Sequence, residues 1–419
     1  MSTTVPPSTG RRLQNGLALS TPGDTEKECS SHNGHESTSP GGSLGDLGSP
    51  LSPTKGVQWF GVDIGGTLTK GVYFECHDPE HVPDNSVETE VVHAMQQFVK
   101  SNLTYGTTGT RDVHLELKDQ RLGSMTGTLH FIKFATARME GFMRMVNDNG
   151  LTDFSKAVCA TGGGAYKYEK EFKEKLGIKL HKYDELLCLT RGIEYLNSHF
   201  PNECIYFANS NSSGFGATKH VFDFQHPIYP YIITNIGSGV SILLVRLQKD
   251  ITRIGGTSVG GGTFQGLCAL LNGIDSFDKS LAMAERGDST KVDKLVRDIY
   301  GGDYEKFGLS GDLVASSFGN MIHPEKRKQA QPEDLAKAAL VTVTNTVASI
   351  ANMCAAAAKV ERVVFVGNYL RNNEMSMQML AYSMEYWSGG TIRALFMEHE
   401  GYFGALGTLL LHFRMHRTQ

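Results

Sequence analysis

The stretch Trp59-Phe-Gly-Val-Asp-Ile-Gly-Gly-Thr-Leu68 governs how the rest of the chain is read. Val57 to Ile64 has the aromatic and β-branched pattern of a strand, Gly65-Gly66 supplies a turn, and Lys70-Gly-Val-Tyr-Phe-Glu75 reads as the returning strand. The product is a hairpin with Asp63 at its bend. Glycines there let backbone N–H groups approach a phosphate with no Cβ in the way. Thr67 adds a hydroxyl donor, and Asp63 can hold Mg²⁺ directly or through its water. A plain tight turn would use the same residues, so one motif does not decide the matter. A second copy strengthens it. Tyr231 to Asn235 reads as a strand, Gly237-Ser238-Gly239 as a turn and Val240 to Arg246 as the return, so Asn235-Ile-Gly-Ser-Gly239 repeats the chemistry. Ile251 to Ile254 adds a further strand.

Working outward, Ala157 to Thr161 is a strand pattern that ends in Gly162-Gly163-Gly164, and the helix after it places Lys167, Glu169 and Lys170 on its polar side. Residues 184–196 form an amphipathic helix with Leu186, Leu189, Ile193 and Leu196 on one stripe, Asp184 as N-cap and Glu185 as first helical residue. No period is sustained over 197–229, which is expected to be an irregular insertion. The loop of Gly255, Gly256, Gly260, Gly261 and Gly262 leads into a helix near Phe264 to Leu271. Pro332 opens a long helix to about Ala358, and the strand Arg362 to Val366 ends at Gly367-Asn368. Two phosphate-type hairpins and this late turn outline a bilobal α/β nucleotide cleft. Each lobe contributes one hairpin to the phosphates, and the Gly-Asn turn faces the adenosine.

Composition bounds the alternatives. A chain of 419 residues predicts two or three units, and 40% hydrophobic with 20% charged residues is a globular balance. A formal net charge of −4 and pI ≈ 6.4 give no basic field to hold nucleic acid or an anionic membrane. The cysteines are scattered without a C-x-x-C pair, which reads as reduced thiols in a cytoplasmic protein. Val341 to Val360 is apolar but interrupted by polar residues and reads as a buried helix, so no membrane span is expected. Residues 1–56 lack Phe, Trp and Tyr, which predicts a disordered tail; targeting to a nucleus or organelle by that tail stays open. The expected division is this tail, an N-terminal lobe over 57–229 and a C-terminal lobe over 230–419. Gly256-Thr-Ser-Val-Gly260 matches a nucleophile elbow, yet its glycine run predicts a phosphate-facing loop equally well. His77 and His81 have helical metal-pair spacing, but Pro79 opposes a helix there.

Trp59 to Leu68, Cys159-Ala-Thr-Gly-Gly-Gly-Ala-Tyr166, Asp184-Glu-Leu186, Asn235-Ile-Gly-Ser-Gly-Val-Ser-Ile242, Gly256-Thr-Ser-Val-Gly-Gly-Gly-Thr-Phe264, Asp298-Ile-Tyr-Gly-Gly-Asp-Tyr304 and Val364-Phe-Val-Gly-Asn368 resemble the eukaryotic, type II pantothenate kinases over 57–412. The resemblance implies the actin/hexokinase-like ATPase fold and ATP- and Mg²⁺-dependent phosphorylation of pantothenate, the first step of coenzyme A synthesis. It also implies a homodimer and feedback inhibition by acetyl-CoA or another acyl-CoA in the pantothenate site. By the same resemblance Glu185 is the catalytic base, and Ser238, Ser241 and Arg253 line the pantothenate and acyl-CoA site. Gly65, Gly66, Thr67, Lys70, Gly237, Gly367 and Asn368 surround the nucleotide. Without it, Glu185 reads first as a helix-start acid and Arg253 as a solvated strand residue. The chain departs from the family pattern at 131–149 and 197–231, which bears on acyl-CoA sensitivity and compartment. Some relatives lack the catalytic Glu and Arg; both stand here. The alternatives are a catalytically weak or inactive CoA-sensing member and a sugar kinase on the same fold.

Overall fold

A computed structural model describes residues 59–77, 97, 104–105, 109–148, 157–208, 216–224 and 228–415. The tail expected at 1–56 and His81 fall outside them. One sheet contains β1 (Trp59–Ile64), β2 (Leu68–Cys76), β3 (Thr104–Tyr105), β4 (Gly109–Arg111), β5 (Leu117–Leu122), β6 (Met125–Ala135), β7 (Ala157–Thr161) and β8 (Lys179–Lys182). Its order is β3-β4-β6-β2-β1-β7-β8, with β5 paired to β6. The other holds β9 (Cys204–Ala208), β10 (Thr218–Val221), β11 (Tyr231–Ile236), β12 (Val240–Leu247) and β13 (Asp250–Thr257). After the small pair β14 (Lys294–Leu295) and β15 (Val314–Ser316) it is completed by β16 (Arg362–Val366) and β17 (Arg393–Met397), in the order β10-β9-β17-β16-β11-β12-β13.

The two sheets share one connectivity. The antiparallel meander β6-β2-β1 corresponds to β13-β12-β11, and the parallel strands β7 and β8 correspond to β16 and β17. The echo between two hairpins is thus a repeat of half-molecules, and the expected two-lobed α/β architecture is the one adopted.

Side-chain alternation along the strands sorts the helices into layers. Val62 and Ile64 turn outward on the first sheet with Val158, Ala160 and Leu180, where they meet α1 (Met139–Asp148), α2 (Gly163–Lys167) and α3 (Glu169–Leu176) through Met143, Ala165 and Phe172. From the opposite face, Val72, Phe74, Leu129 and Phe131 share a core with Ile233, Leu243, Val364 and Leu395 of the second sheet. Between them lies α4 (Glu185–His199), with Leu189, Ile193 and Leu196 on the expected stripe. The far face of the second sheet packs on α5 (Gly261–Asn272), α6 (Phe277–Arg286), and, beyond α7 (Val296–Tyr300) and α8 (Pro324–Gln329), on α9 (Pro332–Ala358) and α10 (Glu374–Ser388). The apolar helix expected near 341–360 is α9. Ala336, Ala339, Leu340, Val343, Val347, Ala351 and Ala355 carry its helical period into this core. Its length and hydropathy would suffice to cross a membrane, but more than half of its most apolar window, 56%, is buried here.

Two segments cross the expected division at 229/230. Residues 197–229 are not an irregular insertion throughout: β9 pairs with β17 and β10 with β9, so both belong to the second sheet. The last helix, α11 (Phe403–Met415), returns to the first lobe and joins α4 in the layer between the sheets. α4 is also buried beyond its apolar stripe, through Thr190, Arg191 and Glu194. Arg191 pairs with Glu194 at 3.3 Å, and Glu194 further accepts from Tyr229 and from Gln248 at 3.1 Å, which satisfies charges that would otherwise be costly there.

Glycine sets how closely α4 and α11 approach. A Cβ on Gly407 would stand 1.9 Å from the carbonyl oxygen of Cys188, and one on Gly192 would stand 2.2 Å from that of Phe403. Gly407→Ala should therefore lower stability by about 1–3 kcal/mol, the usual cost of overpacking a filled core. Gly163→Ala, where nothing lies within 4 Å of the added Cβ, should stay within ~0.5 kcal/mol of wild type. Denaturant titration of both variants checks this; equal stabilities would contradict the close helix contact.

Candidate active site

Both hairpin tips are held by their carbonyls. Thr136, at the end of β6, donates its hydroxyl to the Gly65 carbonyl at 2.8 Å and its N–H to the Thr67 carbonyl at 2.9 Å. At the other tip, the first amides of α5 do the same, Gly261 donating to Gly237 at 2.8 Å and Gly262 to Ser238 at 3.0 Å. The amides of Gly65 and Gly237 close their own turns, onto Leu68 and Gly239. Among the described residues this leaves the N–H groups of Gly66, Thr67 and Ser238 without an internal acceptor. Neighbouring free amides with their carbonyls tied back form an anion-binding concavity. The tips also meet, since Thr67 Oγ1 lies 3.2 Å from Ser238 Oγ. The residues expected at the phosphates therefore lie at the two hairpin tips, where the amides of Gly65 and Gly237 shape the turns and those of Gly66, Thr67 and Ser238 are left open.

The charged groups come from strand ends on the face toward the layer between the sheets. Asp63 and Lys70 are direct partners in the β1–β2 ladder, and Asn235 and Ser241 are partners in β11–β12. Opposed residues of an antiparallel pair point to one face, so each hairpin presents a polar pair beyond the shared apolar core. Cβ atoms built on Gly162 and on Gly404 would each lie 2.7 Å from an Asp63 carboxylate oxygen, so these glycines make the recess it fills. Burial pushes the Asp63 carboxyl above its ordinary value, and the Lys70 ammonium opposes that rise. Lys133, next to Lys70 in the β2–β6 register, is neutralised by Asp112, which also accepts from Tyr402. Lys70 has no such hydrogen-bonded partner among the described residues.

Asp184 caps α4, accepting from the Leu187 N–H at 2.8 Å, and Glu185 is the first helical residue, as expected. Glu185 is open to solvent, yet enough protein surrounds its carboxyl that lost hydration pushes it upward, with Asp63 and Asp184 adding to the rise. The start of α4 and the end of β1 thus share one electrostatic neighbourhood. Cys188, one turn along, is pushed up to about 12, chiefly by burial, and remains a thiol rather than a nucleophilic thiolate. Arg253 reaches across the sheet edge: a Cβ on Gly256 would stand 2.4 Å from its Nη2, and Gly256 is the ladder partner of Ser241. Its guanidinium and the Ser241 hydroxyl consequently share a face.

Gly367 ends β16 with φ of 116°, and a Cβ there would lie 2.3 Å from the Ile236 carbonyl oxygen, so the turn requires glycine on both counts. Asn368 follows, with a buried Oδ1 that has no hydrogen-bond partner, an acceptor suited to a ligand's N–H. The Gly367 N–H donates to Glu400, a buried residue that sequence reasoning missed. The available signal was a polar His399-Glu400-Gly401 step between a strand and a helix, the same grammar as Gly367-Asn368. Mg²⁺ is commonly held by one or two carboxylates together with substrate phosphates, and Asp63 beside the free amides of the first tip fits that donor set.

Gly66 tests the anion site. Nothing lies within 4 Å of a Cβ at this position, so Gly66→Val should leave the melting temperature unchanged while obstructing the amides and weakening nucleotide binding. Unchanged nucleotide affinity by calorimetry would remove Gly66 from the site.

Residues 59–411 match the model of the Fumble family. The chain is 35% identical over 363 residues to a pantothenate kinase of Schizosaccharomyces pombe, covering 84% of this chain and 82% of that protein. It is 37% identical over 359 residues to pantothenate kinase 1 of Arabidopsis thaliana, covering 85% and 86%. It is also 37% identical over 352 residues to a mouse 4'-phosphopantetheine phosphatase, but there it spans only 40% of the relative's length. Among solved structures, a glucokinase of Balamuthia mandrillaris in complex with glucose aligns with a TM-score of 0.40 at 13% identity, over 85% of this chain and 94% of that one. A ROK family glucokinase of Streptomyces griseus with glucose and AMPPNP aligns with a TM-score of 0.40 at 11% identity, over 84% and 98%. With a match that runs from the first strand of the first hairpin into the last helix, the chain belongs to the Fumble family, that of the pantothenate kinases.

Proposed function

We propose that this protein transfers the γ-phosphoryl group of ATP to pantothenate, giving 4'-phosphopantothenate, the first step of coenzyme A synthesis. The supporting observation is the pair of hairpin tips, which meet at Thr67 and Ser238 with carbonyls tied back and amides free. Phosphoryl transfer demands positioning and charge stabilisation more than covalent chemistry, and these tips offer both. Lys70 and the amides of Gly66, Thr67 and Ser238 hold the phosphates, and the Gly367-Asn368 turn receives the adenosine. Asp63 holds Mg²⁺, which when bound neutralises charge on the phosphate oxygens. Glu185 takes the proton of the attacking hydroxyl. Its carboxyl is raised by burial and by Asp63, which brings a base closer to the operating pH, where proton transfer is most effective. Ser238, Ser241 and Arg253 bind pantothenate, with the Arg253 fork matched to its carboxylate or amide.

The presence of Glu185 and Arg253 favours the enzyme over an inactive CoA-sensing member, and the relatives named pantothenate kinase favour it over a sugar kinase. Acceptor-dependent ADP release with pantothenate, glucose and N-acetylglucosamine separates the three readings. Glu185→Gln should lower pantothenate-dependent turnover by ~10²–10⁴ while ATP affinity and melting temperature hold. Turnover equal to wild type would reject Glu185 as the base. Because the carboxylate is the active form, wild-type turnover should fall as pH drops through the raised pKa of Glu185, with no such acid limb in the variant.

The proposal includes feedback inhibition by acetyl-CoA or another acyl-CoA through the pantothenate pocket. Arg253→Ala should then raise the pantothenate KM and weaken acetyl-CoA inhibition together, and inhibition of unchanged strength would separate the two sites. A homodimer also belongs to this reading. It is supported by a groove of about 880 Å³ on the second lobe, lined by Ile299, Tyr300 and Trp387, which are large apolar side chains more than half exposed.

A further inference from the structure

We infer that Glu400 is a positioning residue of the nucleotide site, which holds the Gly367 amide and competes with bound phosphates for the Lys70 ammonium, so that its charge sets the affinity for ATP. The inference rests on the reading of Lys70 and Gly367 as nucleotide residues. Glu400 is buried in the 399–402 turn between β17 and α11, and one carboxyl oxygen accepts from the Gly367 N–H at 2.5 Å. The other oxygen is buried without a hydrogen-bond partner. The stem and ammonium of Lys70 lie over the next residue, since a Cβ on Gly401 would stand 3.0 Å from Lys70 Nζ. Lys70 therefore faces Asp63 across the β1–β2 ladder and Glu400 from the turn, and its ammonium acts on both carboxyls.

The turn itself cannot drift. His399 bonds to Glu203 at 2.6 Å and to the Leu115 carbonyl at 3.0 Å, and Tyr402 bonds to Asp112. Its flanks are thus tied to both sheets while Glu400 points at the two nucleotide elements. The charged groups bearing on Glu400 are Lys70 from β2, which favours the carboxylate, and Glu203, which disfavours it, with His399 occupied by Glu203 and Lys133 by Asp112. Burial dominates and pushes the Glu400 carboxyl up to about 8. At neutral pH the group is mostly the neutral acid, still able to accept from Gly367, and the Lys70 charge is left for phosphates. Above pH 8 a second anion shares the one ammonium.

Phosphates beside Lys70 disfavour the Glu400 carboxylate, so bound nucleotide favours the protonated form and ATP affinity falls as pH rises through about 8. The test measures the KM values for Mg·ATP and for pantothenate between pH 6.5 and 9.5 in wild type, Glu400→Gln and Lys70→Met. Wild-type ATP KM should climb several-fold from pH 7 to 9 with the pantothenate KM within twofold. Glu400→Gln, which keeps an acceptor for Gly367 and loses the charge, should show no climb. A wild-type pH profile retained in Glu400→Gln, with ATP KM raised in Lys70→Met, would overturn this inference alone. Unchanged ATP KM in Lys70→Met would overturn the placement of Lys70 on the phosphates. Should Glu400→Gln not fold, calorimetry of AMPPNP binding to wild type at pH 8 in buffers of different ionisation enthalpy reads the same linkage: proton uptake is expected, and none would refute it.

Discussion

Everything in this protein depends on how closely α4 and α11 lie against each other between the two sheets. Glycine at 192 and 407 removes the side chains that would hold the backbones apart, and the carbonyls of Phe403 and Cys188 occupy the freed space. The two sheets then bury their inner faces on one shared helix pair, joining Val72 and Phe131 to Ile233 and Val364 in a single core. A side chain of ordinary size at either glycine would push the helices apart. Because cores pack at the density of organic crystals, such a displacement would not be absorbed locally.

That core explains why the polar residues gather where they do. The strands that bury Gly61, Val72 and Phe74 against it continue, on the same face, into Asp63 and Lys70. The second sheet repeats the arrangement, with Ile233 and Leu243 continuing into Asn235 and Ser241. The candidate site lies where two corresponding strand patterns run out of apolar partners. Its backbone polarity has an equally local cause: Thr136 in one lobe and the first turn of α5 in the other take up the carbonyls of the hairpin tips, so the field at the opening is that of the amides. Lys70 stands out in that setting because its neighbour Lys133 already has Asp112, whereas the two carboxyls near Lys70, those of Asp63 and Glu400, are both pushed upward by burial and drawn back by its charge.

Legibility in the sequence tracks the range of the determining interactions. Ala157–Thr161, Arg362–Val366 and Pro332–Ala358 were read with their observed bounds, and Asp184 was read as the cap it is. These elements are specified by glycine and proline punctuation, by alternation and by caps, all within a few residues. β9 and β10 were not legible. Each is short, and β9 becomes a strand by pairing with Phe396 and Met397, nearly two hundred residues away. α11 was unassigned for a related reason: glycines at 404 and 407 weaken its local helix signal, and only Asp63 of β1 and the backbone of α4, against which they pack, show why they are needed.

The chemistry on offer is written in local spacing: two glycine hairpins with an acid, a lysine and hydroxyls, a capped glutamate at a helix start, and a Gly-Asn turn, because short spacings dictate backbone shape and donor type. Which of those groups lie together is settled by packing over long range. The approach of Thr67 to Ser238, the recess around Asp63 and the link from Gly367 through Glu400 to Lys70 join residues far apart in the chain. Burial and electrostatic coupling between such residues are properties of the packed core, and no local spacing encodes them.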